Sequence, residues 1–315
     1  MTYDDYLLAL FYLVDSELAA MNLPRLRGRG PRPKLHDSEV ITMELAGEFL
    51  GLDTDKGIWS HFRRHHLAEF PRLAQVDRTR FARQAADLWR VKQLLHGRLL
   101  ALLPSRDPAC AGEADGGEPL WLIDSFPLRV CRFKRAPGHK LFREKAAYGR
   151  DPTGERLFFG FRVHLRCNGR GACAAAALAP ANVADPSLVP ELLPPPGPDG
   201  AGAGAGTGIG DRNYWDPDGQ RRLSEVWGFV MLAPFRKKSR DPNPRRSALL
   251  SKLRQVIEPV IGQLATRFHC QRTWARDLWH VTARLGRKLL SHTAAVLLNL
   301  RQGNPPLQLD RLIDA

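Results

Sequence analysis

The hydrophobic period changes twice along this chain, and that pattern restricts the fold more than any single motif. Near the N-terminus Tyr3, Tyr6, Leu7, Phe11, Val14 and Leu18 recur at helical spacing, and Leu8, Leu10 and Leu13 widen the stripe. Ile41, Leu45 and Phe49 mark a second helix, expected to be capped by Asp37 or Ser38. A short helix is predicted over 56–66 and a longer one over 79–103, its buried stripe carrying Phe81, Ala85, Leu88, Leu95 and Leu99. At Leu120 the period shortens. Leu120 to Ile123 reads as a buried strand, and the second half of 157–166 alternates as a half-buried strand does. Ala172 to Leu178 follows across an Asn168-Gly169-Arg170-Gly171 turn; further strand signals lie at 208–210 and 226–233. Ser187 to Leu193 reads as one or two helical turns, and from Ser247 to Leu300 the helical period returns.

The expected organisation is an all-α N-terminal region over 1–104, a Gly, Ala, Pro and acid-rich linker over 105–119, a mixed α/β domain over 120–300, and a tail over 301–315. Within the α/β domain, 194–208 is dominated by Pro, Gly and Ala and is expected to be a flexible surface loop. No Gly-Lys-Ser/Thr follows its glycines, so a phosphate-cradling loop is not supported.

Three acids stand at informative places. Asp124 closes the run Leu120 to Ile123, Asp211 follows Thr207-Gly208-Ile209-Gly210, and Glu258 lies in a helix-like segment. Two carboxylates at strand ends and a third on a later helix can converge on two divalent cations, which need hard oxygen ligands and sit roughly 3.5–4 Å apart. Taken singly, Asp124 is an ordinary strand-end acid, Asp211 an N-cap and Glu258 a helix-surface residue. Together they point to phosphodiester cleavage and rejoining.

Charge supports a polyanionic substrate. The formal net charge is +14 and the isoelectric point near 10.1. Arg129, Arg132, Lys134, Arg135, Lys140, Arg143, Lys145 and Arg150 form one basic run; Arg236, Lys237, Lys238, Arg240, Arg245, Arg246, Lys252 and Arg254 form another. No stretch is long and uncharged enough to span a bilayer. Asp4 and Asp5 stand where a secretory signal carries Lys or Arg, so no such signal is expected. Five cysteines (Cys110, Cys131, Cys167, Cys173, Cys270) show no paired metal-ligand spacing and fit free thiols in a reducing cytoplasm. His61 and His65 are four apart on a presumed helix, but no third ligand is evident, and no metal site is assigned there.

Several separated blocks, in order, resemble bacterial insertion-sequence transposases with a DDE catalytic domain. They are Ile123-Asp124-Ser125-Phe126-Pro127-Leu128, Ala147-Tyr148-Gly149, Phe159 to His164, Leu178 to Asp185, and Gly210-Asp211-Arg212-Asn213-Tyr214. The resemblance covers roughly 120–300; before that, Asp37-Ser38-Glu39-Val40 and the helices after it look like the family's N-terminal region. It implies an RNase H-like mixed sheet flanked by helices, with Asp124 on the first strand, Asp211 after the fourth and Glu258 on a following helix. The Tyr-x2-Arg-x3-Glu-x6-Lys motif found around the last acid in related transposases falls on Ser251, Arg254, Glu258 and Ala265, so its Arg and Glu are present and its Tyr and Lys are not.

The resulting expectation is a DNA transposase with a catalytic and metal-binding trio of Asp124, Asp211 and Glu258, using two Mg²⁺ (or Mn²⁺) ions. Its expected partners are double-stranded DNA, as element terminal repeats and as target, and a second copy or more of itself. Arg212, Tyr214, Arg254, Lys237, Lys238, Arg276, Arg284, Arg287 and Lys288 are expected to contact DNA, and the protein to reside in the cytoplasm with the nucleoid. The N-terminal helices are the expected reader of element ends, with a plain packing bundle as the alternative. Arg254 and Glu258, four apart, form either an intrahelical pair or a phosphate-contacting arm; Trp215 is a core residue or a stacking platform. The competing functions are an RNase H-like nuclease without strand transfer and a catalytically decayed DNA-binding protein.

Overall fold

The longest strand, β1 (Leu120–Arg132), organises the sheet in this computed structural model, which describes residues 1–24, 32–103, 120–151, 156–194, 206–237, 240–272 and 275–314. The expected linker 105–119, residues 195–205 of the expected loop, Lys238 and part of the loop near Arg25 lie outside the described residues. The chain divides into two compact units, one built from 1–103, 264–270 and 278–315, the other from 104–263 and 271–277.

In the second unit β1 runs antiparallel to β3 (Arg156–Asn168) from Trp121↔Asn168 to Arg132↔Phe158, with a bulge between Arg129 and Cys131. β2 (Ala147–Asp151) pairs with the first part of β3 and β4 (Cys173–Pro180) with the later part, both antiparallel. β5 (Gly206–Ile209) lies parallel to β1, and β6 (Phe229–Leu232) parallel to β5. The order β2-β3-β1-β5-β6, with antiparallel strands on one side and parallel strands on the other, is the RNase H-like mixed sheet. The last residues of the expected loop, 206–208, are therefore strand.

Asp124 is not at a strand end. β1 continues eight residues past it, to Arg132, because β3 supplies a partner throughout, while parallel pairing with β5 covers only Leu120 to Leu122. Beyond Leu122, Pro127 removes no ladder bond on the β5 edge, so a proline is tolerated in the strand. Gly160 permits the pairing on the other side: a Cβ there would stand 2.3 Å from the Leu128 carbonyl oxygen.

Helix α6 (Pro217–Trp227) joins β5 to β6, with proline in its first turn and Gly228 left-handed at its end (φ 63°). Strand β6 is consequently shorter than the expected 226–233. Leu223 of α6, Ile123, Val189, Leu192, Tyr214, Phe229 and Met231 form a buried cluster against the sheet, with Trp215 partly buried at its edge and 4.8 Å from the Phe235 ring. Trp215 is thus a packing residue. Helix α7 (Pro244–Leu253) and a 3₁₀ turn at Arg254–Val256 lead into α8 (Ile257–Thr266).

The first unit is helical: α1 (Tyr3–Met21), α2 (Asp37–Phe49), α3 (Asp55–His65), α4 (Arg78–Asp87), α5 (Trp89–Ala101) and α9 (Leu278–Arg301). The predicted helix over 79–103 is two helices meeting at Leu88. The cap of α2 lies one residue earlier than expected: Glu39 accepts a 2.6 Å hydrogen bond from the His36 backbone N–H.

Helix α2 is buried from Val40 to Phe49, including Glu44 and Glu48. Buried carboxylates require paired cations. Lys92 of α5 donates to both Glu44 oxygens at 2.8 and 2.9 Å. Arg287 of α9 reaches Glu48 at 2.6 Å, Glu44 at 3.0 Å and Asp55 at 2.6 Å, and Lys288 reaches Glu48 at 2.5 Å. Arg287 and Lys288 are 4% and 5% exposed. The expectation that they line DNA is corrected: their charge is consumed inside the helical unit. Arg284 is half-buried beside Asp55, Glu48 and Asp53, with burial pulling its pKa down, whereas Arg276 is exposed. No helix among the described residues is long and apolar enough to cross a membrane.

Candidate active site

Asp124 projects from the middle of β1, Asp211 stands two residues beyond β5, and Glu258 lies in the first turn of α8. Gly210 sets the path of the chain into Asp211: a Cβ there would meet the Met231 side chain at 2.5 Å and the Tyr214 ring at 2.7 Å. Asp211 then caps the 3₁₀ turn Arg212–Tyr214, its carboxylate accepting from the Asn213 backbone N–H at 2.8 Å and side-chain amide at 3.1 Å.

Arg254 links the first acid to the third. Its Nη1 donates to Asp124 Oδ2 and its Nη2 to Glu258 Oε1 at 3.3 Å. The i,i+4 pair with Glu258 forms, and the guanidinium also reaches across to Asp124 on the sheet. Asp124 and Arg254 are mostly buried, with side chains 16% and 19% exposed, while Glu258 is 60% exposed.

A fourth acid that sequence reasoning did not single out enters here. Asp185, in the 3₁₀ turn after β4, accepts from Ser125 Oγ at 3.3 Å and lies 3.8 Å from Arg162 Nη1. Arg162 also donates to Ser125 Oγ at 3.1 Å and to the Arg150 carbonyl at 2.8 Å. The signal was present in the block Asn182-Val183-Ala184-Asp185, an acid just after a strand. His164, fully buried on β3, has neither ring nitrogen hydrogen-bonded; burial and then Arg162 push its pKa down to about 4, so it is neutral.

The acids act on one another. Burial pushes the Asp124 carboxyl up to about 6; Arg254 opposes the rise, and Asp211 and Asp185 add to it. Asp211 is raised by burial, against its hydrogen bond from Asn213 and the charge of Arg254, with Asp185 reinforcing the rise. Asp185 is raised by burial, with Arg162 and Ser125 opposing. Tyr214 is raised well above the ordinary phenol range by burial and then by Asp185, Asp124 and Asp211. Its hydroxyl is buried with no hydrogen-bond partner, and the residue is 1% exposed. The expected contact of Tyr214 with the DNA backbone is corrected to a core position beneath the acids. Arg212 is half-exposed and Lys237 exposed, both free of that objection.

Mutually repelling, partly desolvated carboxylates with hard oxygen donors match the chemistry of a divalent-cation site. In this arrangement Asp124, Asp211, Glu258 and Asp185 do not form a group with all donor atoms within 4.8 Å of one another, a condition met among the described residues by Asp4, His66 and Glu69 alone. Because Asp124 must be ionised to bind a cation, divalent-ion affinity is expected to fall on acidification through about pH 6. Manganese binding followed against pH checks this, and an affinity unchanged across that range contradicts it.

A family model for the transposase DDE domain matches residues 115–278, just over half of the chain. The chain belongs to the DDE transposases. No curated protein and no solved structure matches it. The matched region contains β1 through α8, and with them Asp124, Asp185, Asp211, Arg254 and Glu258. Membership makes this a nucleotidyl-transfer enzyme of a class that acts on DNA and generally uses divalent metal ions.

Proposed function

We propose that this transposase cleaves phosphodiesters at the ends of its mobile element and joins the freed 3′-hydroxyls to target DNA, with Asp124, Asp211 and Glu258 as its catalytic carboxylates. The observation that carries this reading is Arg254 joined at once to Asp124 on the sheet and Glu258 on the helix, with Asp211 close enough to raise the Asp124 pKa. Two Mg²⁺ or Mn²⁺ ions, when bound, supply activation of the attacking oxygen and stabilisation of the leaving one.

The chain's own residues do the remaining work. Asp124 is held rigidly by pairing on β1, and Asp211 by its two bonds from Asn213. Glu258, 60% exposed in the first turn of α8, is held there by Arg254 at 3.3 Å. Arg254 neutralises Asp124 and Glu258, and were cations held by these acids its guanidinium would be available to a phosphate of the bound DNA. Neutral His164 adds no charge to the acidic pocket.

Exposed Arg132, Lys134, Arg135, Arg143, Lys145, Arg150, Arg236, Lys237, Arg240, Arg245 and Arg246 give the domain a surface suited to phosphate contacts. Each such contact contributes to the salt dependence of binding. For Lys237→Ala the slope of log affinity against log salt is expected to fall by about 1 with little change in sequence preference. Filter binding over a salt series measures it, and an unchanged slope removes Lys237 from the interface.

Two ends must be processed together, so a dimer or larger assembly on DNA is part of the proposal, with the helical unit reading the terminal repeats. The distinguishing experiment supplies purified protein with DNA carrying the sequences that flank its gene, a target plasmid and Mg²⁺. Joined products support a transposase. Cut ends without joining favour an RNase H-like nuclease, and binding without either favours a decayed protein.

A further inference from the structure

The helical unit carries a second constellation, separate in sequence and chemistry from the acidic pocket. His66 follows α3 and is 8% exposed, yet its Nδ1 is buried with no hydrogen-bond partner. Glu69 Oε2 lies 3.7 Å from that nitrogen, and Asp4, in the first turn of α1, completes a group whose donor atoms all lie within 4.8 Å of one another. The cap of α1 is formed by Thr2 and Asp5, whose hydroxyl and carboxylate exchange bonds with each other's backbone N–H. Asp4 takes no part in that exchange.

A buried imidazole nitrogen without a partner carries a desolvation cost that something normally offsets. Two further histidines stand beside it. The His61 ring centre is 5.4 Å from that of His66 and 5.1 Å from that of His65, and His61 Nε2 is likewise buried without a hydrogen bond. The His61/His65 pair noted in the sequence gains no third ligand among the described residues; the group instead joins His66, in the turn after α3, with Glu69 and with Asp4 at the start of α1.

The geometry points to a transition-metal site formed by His66 Nδ1 and the carboxylates of Asp4 and Glu69, with Zn²⁺ as the ion. Ligands of a tetrahedral zinc ion at about 2.1 Å stand about 3.4 Å apart. The His66–Glu69 separation of 3.7 Å is already close to that, and Asp4 and Glu69 are exposed side chains able to close the remainder. Mixed imidazole and carboxylate donors favour zinc over magnesium, which takes oxygen ligands at near-octahedral geometry. The fourth position is left to water, with His61 the nearest further imidazole. Such an ion ties the start of α1 to the turn after α3. It stabilises the helical unit independently of DNA chemistry.

Zinc titration of the full-length protein without DNA, by calorimetry, tests this against Asp124→Asn, His66→Gln and Glu69→Gln. Zinc affinity is expected to drop at least about tenfold in the His66 and Glu69 variants and to persist in Asp124→Asn. Cobalt substituted for zinc is expected to give an intensified visible band in the wild type and in Asp124→Asn that weakens in Glu69→Gln. Glu69 is exposed, so its variant keeps the fold and decides the matter even if His66→Gln does not fold. Wild-type zinc affinity and cobalt spectrum in Glu69→Gln, or their loss in Asp124→Asn alone, overturn the assignment.

Discussion

Asp124→Asn is expected to abolish cleavage and joining, by about 10³-fold or more, while raising the melting temperature of the protein. The two effects come from one source. In the folded state Asp124 keeps its proton up to about pH 6, well above the ordinary carboxylate range. A carboxyl with a raised folded pKa contributes stability that is fully present below the unfolded value and is lost as pH rises through about 6. At neutral pH the ionised group therefore destabilises the fold, even with Arg254 beside it. Asparagine keeps the shape and removes the charge, so stability is recovered and the cation ligand is lost. Such opposition is expected of a residue retained for chemistry rather than for packing. Thermal melts at pH 7 and a gel assay of end-labelled DNA measure the two halves. A variant that melts lower than wild type contradicts the account of its burial, and one that still cuts removes Asp124 from the reaction.

The second large effect lies in the helical unit. Arg287→Ala is expected to cost about 3–5 kcal/mol of stability, because Glu44, Glu48 and Asp55 lose the cation that all three share. Arg287 is raised well above its ordinary range; burial opposes its charge, but Glu48, Glu44 and Asp55 outweigh it. Replacement leaves Lys92 alone on Glu44 and Lys288 alone on Glu48, in a helix buried throughout from Val40 to Phe49. Urea denaturation followed by circular dichroism measures the loss. A change below about 1 kcal/mol accompanied by weaker DNA binding would instead restore Arg287 to a DNA-facing role.

These two residues show what the sequence made legible and what it hid. Asp124 and Asp211 stood out because each ends or follows a strand-like run, and Glu258 because it lies in a helix-like segment; the family blocks gave the order of the two aspartates. Asp124 was nevertheless misplaced within its strand, since an acid followed by Ser125, Phe126 and Pro127 looks like an exit from the sheet. Only the eleven-position register with β3 shows that the strand continues. Asp185 escaped notice because its role depends on the close approach of Ser125 and Arg162 from two other strands, which no spacing encodes.

Arg287 and Lys288 misled for the opposite reason. A basic pair on a long helix usually faces solvent, but their partners Glu44 and Glu48 lie more than two hundred residues earlier. A signal did exist: two acids four apart inside the apolar run Val40 to Phe49 required buried cations from elsewhere. Helix α6 was not read from the sequence, although Pro217 and Gly228 bracket it, because Val226 was absorbed into the following strand pattern.

The most direct measurement is manganese binding, by electron paramagnetic resonance, to wild-type protein on element-end DNA and to Asp124→Asn, Asp211→Asn and Glu258→Gln. The account predicts that all three substitutions release the same ions that the wild type holds. Three variants that each bind manganese as the wild type does would contradict it, as would losses at separate, independent sites.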